Sequence, residues 1–299
     1  MTSDVKPLAA GWGVLLGALA AVFGLIPWLI TGMRLPLQNL WATSTLDMPI
    51  ALLPFSQYEL TPIAAFLVVG AAVAGLLVRV GRGRMPRARA VIAGVAAVQL
   101  IALAQTSIVV LTGLQRGREA TLYFVAVFAW SALSFLVGML ALWLILHRAR
   151  AAALLGLTVG AVAVEPWLRA LIMPFGTITP SPLQLWAAGA AGWVGAVLVG
   201  AAIAWCGLAT RGRIVAAIGL LLILALLPNA VHAVASAAGT RVYARDPARM
   251  LEFARSVFTT ELGIPFLTVQ PLLLAVAVAA VGLVARRSIQ GISPADPMA

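Results

Sequence analysis

Eight separate apolar runs punctuate the chain, and no other feature restricts its fold as tightly. A helix needs roughly 20 residues at about 1.5 Å each to cross some 30 Å of hydrocarbon, and these runs reach that length. A soluble domain could bury one such run in its core, but not eight. The composition agrees: 10% of residues are charged and 63% are hydrophobic, where soluble domains carry about 25% and 45–50%. Hydrocarbon offers no partner to backbone N–H and C=O groups, so each run must be helical. The expected fold is an all-α polytopic integral membrane protein, a single transmembrane domain over residues 1–299. Its spans fall near 9–31, 61–78, 90–114, 121–146, 151–173, 183–206, 214–236 and 267–285.

The first run follows a short head containing Lys6 and could be read as a signal peptide. It exceeds the 7–15 residues of a signal core, ends in an interfacial Pro27-Trp28 pair and is followed by further spans, so a retained span is expected.

Arginines give the orientation. Arg79, Arg82, Arg84, Arg87 and Arg89 lie between spans two and three, Arg148 and Arg150 between four and five, Arg211 and Arg213 between six and seven, and Arg286 and Arg287 after eight. By the positive-inside rule these loops and both termini are cytoplasmic, in a plasma (inner) membrane. Of the acidic residues only Asp4 and Asp296 fall on that side. Arg34, Arg116, Arg118, Arg241, Arg245, Arg249 and Arg255 fall on the other, so the bias is a majority. The net charge of +11 comes from dispersed loop arginines, with no stripe or arm suited to nucleic acid. Lys6 is the one lysine, a usage that reads as a high-GC genome.

The outer loops carry repeated entrances to the helices. Pro174-Phe175 with Thr179-Pro180 precedes span six, Pro265-Phe266 with Gln270-Pro271 precedes span eight, and Pro54-Phe55 with Thr61-Pro62 precedes span two. Pro36-Leu37-Gln38-Asn39-Leu40-Trp41 resembles Pro182-Leu183-Gln184-Leu185-Trp186. Convergence accounts for this, since proline suits a first helical turn and aromatic rings the interface. The alternative, second to convergence, is a duplication of hairpins or of four-span halves, about 1–147 and 148–299. Loop 32–60 is long enough for a lid or re-entrant cap. Loop 237–263 contains a helix near 247–262, capped by Asp246 and Pro247. Its apolar face, through Leu251, Ala254, Val257, Phe258 and Leu262, suits an outer membrane surface, with Glu261 interrupting it.

Ionisable groups at membrane depth cost about 2.5–3.5 kcal/mol on insertion scales and need a reason. Glu165 and Arg169 stand four apart on one face of span five, the order that favours an ion pair. Asn229 and His232 lie in span seven, and Gln105 and Thr106 in span three, all towards the outer side. Each has a structural reading beside the functional one: a helix-locking pair, a proline kink eased by Asn229, a solvated histidine. Spans two and six hold small residues instead: Gly70 and Gly75 in one, and Ala188, Gly192, Ala196, Gly200 and Ala204 in the other. Such faces let helices approach closely.

His147 and His232 fall on opposite sides and cannot share a haem. No lysine lies in a span for a retinal Schiff base, and Cys206 alone makes no metal cage. GxxxxGK[ST], HExxH and GxSxG are absent, so no cofactor or metal is expected. The expectation is a transport-related protein, a small permease or the membrane subunit of a larger complex, with an outward-facing polar cavity. Its partners would be the lipid bilayer and a protein subunit or extracytoplasmic lipoprotein. The alternatives are an enzyme acting on a lipid-linked substrate at the outer leaflet, with Glu165 or Glu261 as base, and a non-catalytic scaffold for another membrane protein.

Overall fold

The computed structural model describes residues 10–36, 40–43, 48–81, 88–240, 243 and 246–291. Among them are nine α-helices: α1 (Ala10–Leu29), α2 (Leu60–Val80), α3 (Ala88–Gly113), α4 (Arg118–Leu146), α5 (Arg150–Ile172), α6 (Pro182–Cys206), α7 (Arg211–Gly239), α8 (Pro247–Leu262) and α9 (Val269–Gly291). All but α8 are long and apolar enough to cross a membrane. Arg82, Arg84, Arg87, Leu37, Gln38, Asn39, Asp47, Arg241, Arg245 and both chain ends, with Lys6, Asp4 and Asp296, lie outside the described residues.

Helix ends follow local chemistry. Ser181 accepts from Gln184 N–H while the Gln184 side chain accepts from Ser181 N–H, and Pro182 occupies the first turn, so α6 starts with a capping box. Asp246 caps α8 in the same way by accepting from Arg249 N–H, with Pro247 next. Helix α9 runs beyond residue 285, to Gly291.

Consecutive long helices alternate in direction. One end of the bundle therefore carries the α1–α2, α3–α4, α5–α6 and α7–α9 connections, the proline-rich end. The other end is the arginine end. In the first half α1 packs on α2 and α3, α2 on α3 and α4, and α3 on α4. In the second, α5 packs on α6 and α7, α6 on α7 and α9, and α7 on α9. Replacing α1, α2, α3 and α4 by α5, α6, α7 and α9 turns one set of neighbours into the other. Helix α5 joins the halves by also packing on α1, α2 and α4.

Glycine sets the closest crossings. A Cβ on Gly17 would lie 2.1 Å from the Val91 carbonyl oxygen, and one on Gly94 2.1 Å from that of Val14, so α1 and α3 touch through their backbones. Gly70 meets Ala20 of α1, Gly75 meets Ile145 of α4, and Gly200 meets Ala275 of α9. Ala196 is buried. Gly192 departs from the expected ladder: it is exposed with nothing near its missing Cβ. Each four-residue step turns about 40° round the helix, so the ladder does not keep to one face of α6. Gly195, against Ala161 of α5, holds the α5 contact instead.

Candidate functional site

The polar residues of α3 hold a loop. Gln105 accepts from Leu52 N–H at 2.9 Å and donates to the Ile50 carbonyl at 3.0 Å, and Thr106 accepts from Leu53 N–H at 2.9 Å. Trp28 donates its indole N–H to the Ala51 carbonyl at 2.7 Å. Gln105 lies eight residues before Gly113, the last residue of α3, so the loop descends about 12 Å along that helix. Leu53 and Phe55 are fully buried there. The loop closes the proline-rich end of the first half, with its irregular backbone satisfied by side chains as apolar surroundings require. Gln105 and Thr106, expected to line a cavity, hold the backbone of this loop.

The second half has no equivalent plug, because its α5–α6 connection is short, 173–181. Phe175 of that connection turns towards the first half, edge-on to Trp28 at 4.8 Å and to Phe66 at 6.4 Å. Phe266 lies against Trp193 of α6, 5.4 Å between centroids, and over half of it is exposed. The three Pro-Phe segments thus place their rings in three different settings.

Glu165 and Arg169 pair within α5 at 2.8 Å, with side chains 30% and 49% exposed. Trp167, between them in sequence, lies on the opposite face. It stacks on Phe23 at 5.0 Å and donates to the Gly24 carbonyl of α1 at 2.9 Å. The pair is thereby turned away from the first half. Glu165 stands seven residues before the end of α5 at Ile172, about 10 Å down the helix. A carboxylate that far along a span costs free energy that an ion pair and water or polar groups on its open side reduce.

In α7 the Asn229 amide donates to the Ala225 carbonyl of its own helix at 2.8 Å, one residue after Pro228, and is buried. That bond lies beside the break at Pro228, which removes the N–H partner of the Leu224 carbonyl. His232, largely exposed, pairs through Nδ1 with Glu261 of α8, which is mostly covered. Glu261 is thus central to the α8 face turned to α7, together with partly buried Met250, Phe253, Ala254, Val257 and Phe258. Leu251, expected on the side of α8 turned to the outer membrane surface, is 73% exposed, and Phe253 packs on Tyr243 with 5.9 Å between centroids.

Two polar pairs thus lie towards the proline-rich end of the second half, Glu165 with Arg169 within α5 and His232 with Glu261 joining α7 and α8. Sequence reasoning missed the importance of Glu59, which precedes α2 beside Tyr58, itself against Gly239 at the end of α7. Burial pushes its carboxyl up from 4.5 to about 7. Among the described residues no group of three His, Cys, Asp or Glu side chains could hold a metal ion. Comparison with known families, with curated proteins and with solved structures finds no match for the chain.

Proposed function

We propose that the chain is a transport-related membrane protein, a small permease or the membrane subunit of a larger assembly, whose polar site opens at the proline-rich end of the second half. Glu165, Arg169, His232 and Glu261 carry that site. The observation behind this reading is the Glu165–Arg169 pair, with Glu165 30% exposed about 10 Å below the end of α5 and Arg169 49% exposed in its last turn. Charge at that depth presupposes a polar path. The arginine end is cytoplasmic in this reading, so the site faces outward. A 4+4 duplication fits the proposal, supported by the shared neighbour pattern of the halves. The first copy would have gained a plug and become structural, leaving the second open.

Solute and lipid profiling of cells lacking the chain tests this function. Complementation with wild type should reverse a change in a retained or exported solute, and Glu165→Gln and Arg169→Gln should fail to reverse it while still inserting in the membrane. Full complementation by both variants would remove the site. A lipid-linked precursor that accumulates without its product would favour the enzyme over the transporter.

A further inference from the structure

Glu261 is a carboxylate set into an apolar contact. Helix α8 packs against α7 with Met250, Phe253, Ala254, Val257 and Phe258 half-buried, and no residue of α8 is fully buried. Within that shallow contact the Glu261 side chain is only 14% exposed, and it pairs with His232 Nδ1 across the two helices. Among the described residues no other hydrogen bond or ion pair reaches its carboxylate.

The described residues offer no fixed charge in place of His232. The other ionisable residues of α7 are Arg211 and Arg213, at the opposite end of that helix. On α8, Arg249 pairs with Asp246 at the helix start, and Glu252 and Arg255 are exposed on the far face. Four more helices pack against α7. In α5, Glu165 and Arg169 pair with each other and Arg150 is at the arginine end. Cys206 of α6, Arg286 and Arg287 of α9 and Arg79 of α2 are at that end too. At the near end α2 is preceded by Tyr58, against Gly239, and by Glu59, whose carboxyl is raised to about 7. Arg241 and Arg245 lie outside the described residues.

The charge on the contact therefore depends on one proton. Histidine changes from cation to neutral ring between pH 5 and 8, whereas a glutamate beside a cation stays ionised over that range. With His232 charged, Glu261 is neutralised where it lies. With His232 neutral, a mostly covered carboxylate is left among apolar side chains without a counter-charge, which costs free energy until water reaches it. We propose that His232 and Glu261 form a proton-operated latch, which seats α8 on α7 when His232 is charged and loosens it when the proton leaves. Thr268, just before α9, donates to the carbonyls of Glu261 and Leu262, so the loosening is a swing of the earlier turns of α8 about that end. The bearing of the latch on the outward site rests on the transport reading, while the latch itself is read from the attachment of α8, so each can fail alone.

Hydrogen exchange of the full chain in neutral detergent, at pH 5.5 and 8 and corrected for the intrinsic rate at each, tests the latch without any substrate. In wild type the protection of residues 247–262 should be about fivefold greater at pH 5.5, as for a partly exposed ion pair. The difference should vanish in Glu261→Gln. His232→Arg, whose charge is fixed, should hold the pH 5.5 level at both values, which a pH-independent structural contact would not do. Glu59→Gln should keep the wild-type difference. If His232→Arg does not fold, Glu261→Gln carries the comparison. Equal protection at the two pH values in wild type, a difference that survives in Glu261→Gln or in His232→Arg, or its loss in Glu59→Gln would overturn the latch.

Discussion

Gly17 and Gly94 determine how closely α1 and α3 approach, because each faces a carbonyl oxygen of the other helix. Gly94→Ala should lower stability by about 1–3 kcal/mol through overpacking, more than alanine's gain in helix propensity returns. Gly192→Ala, into open space, should cost nothing. Unfolding in detergent compares the two, and an equal loss would contradict the close crossing. Glu59 supplies a pH dependence. Its carboxyl is raised from 4.5 to about 7, so between those values the folded chain holds a proton that the unfolded chain releases. Stability contributed by this group is present below pH 4.5 and declines as pH rises to about 7, by up to about 1.4 kcal/mol per unit. Melting temperatures at pH 5 and 7.5 should therefore show a larger drop for wild type than for Glu59→Gln. Neither residue's part was legible beforehand. A glycine in a span looks alike whether it meets a backbone or a void, and the burial of Glu59 depends on how loop and helices close around it.

At the scale of elements, the helices themselves could be read from the sequence. Bilayer-length apolar runs locate α1 to α7 and α9, and the Asp246-Pro247 start locates α8. The pairing of Glu261 could not be read, since its partner is 29 residues away in sequence and only tertiary packing joins them. Gln105 and Thr106 show the same limit: a polar side chain in a span serves a cavity or a loop backbone with the same residue type. Thr106→Val would leave the Leu53 N–H buried without its acceptor. A loss of about 1–3 kcal/mol is expected, together with faster proteolysis within residues 48–59. Thr106→Ser should keep both near wild type, and an unchanged valine variant would mean that the loop is held by other contacts.

Across the whole molecule, two four-helix units with the same neighbours differ in what fills their proline-rich ends. The first holds the buried segment around Leu53 and Phe55; the second presents Glu165, Arg169, His232 and Glu261. The sequence carried the apolar lengths and the Glu165–Arg169 spacing, while the difference between the ends arises from loop length and packing. The account stands on water reaching Glu165 from outside the cell. Its direct measurement is labelling of Glu165→Cys in a Cys206→Ser background, by a charged, membrane-impermeant thiol reagent applied to intact cells. Labelling in intact cells is predicted, with none at a cysteine replacing Leu136, an exposed apolar position of α4. Protection of the position 165 thiol until the membrane is opened would contradict it.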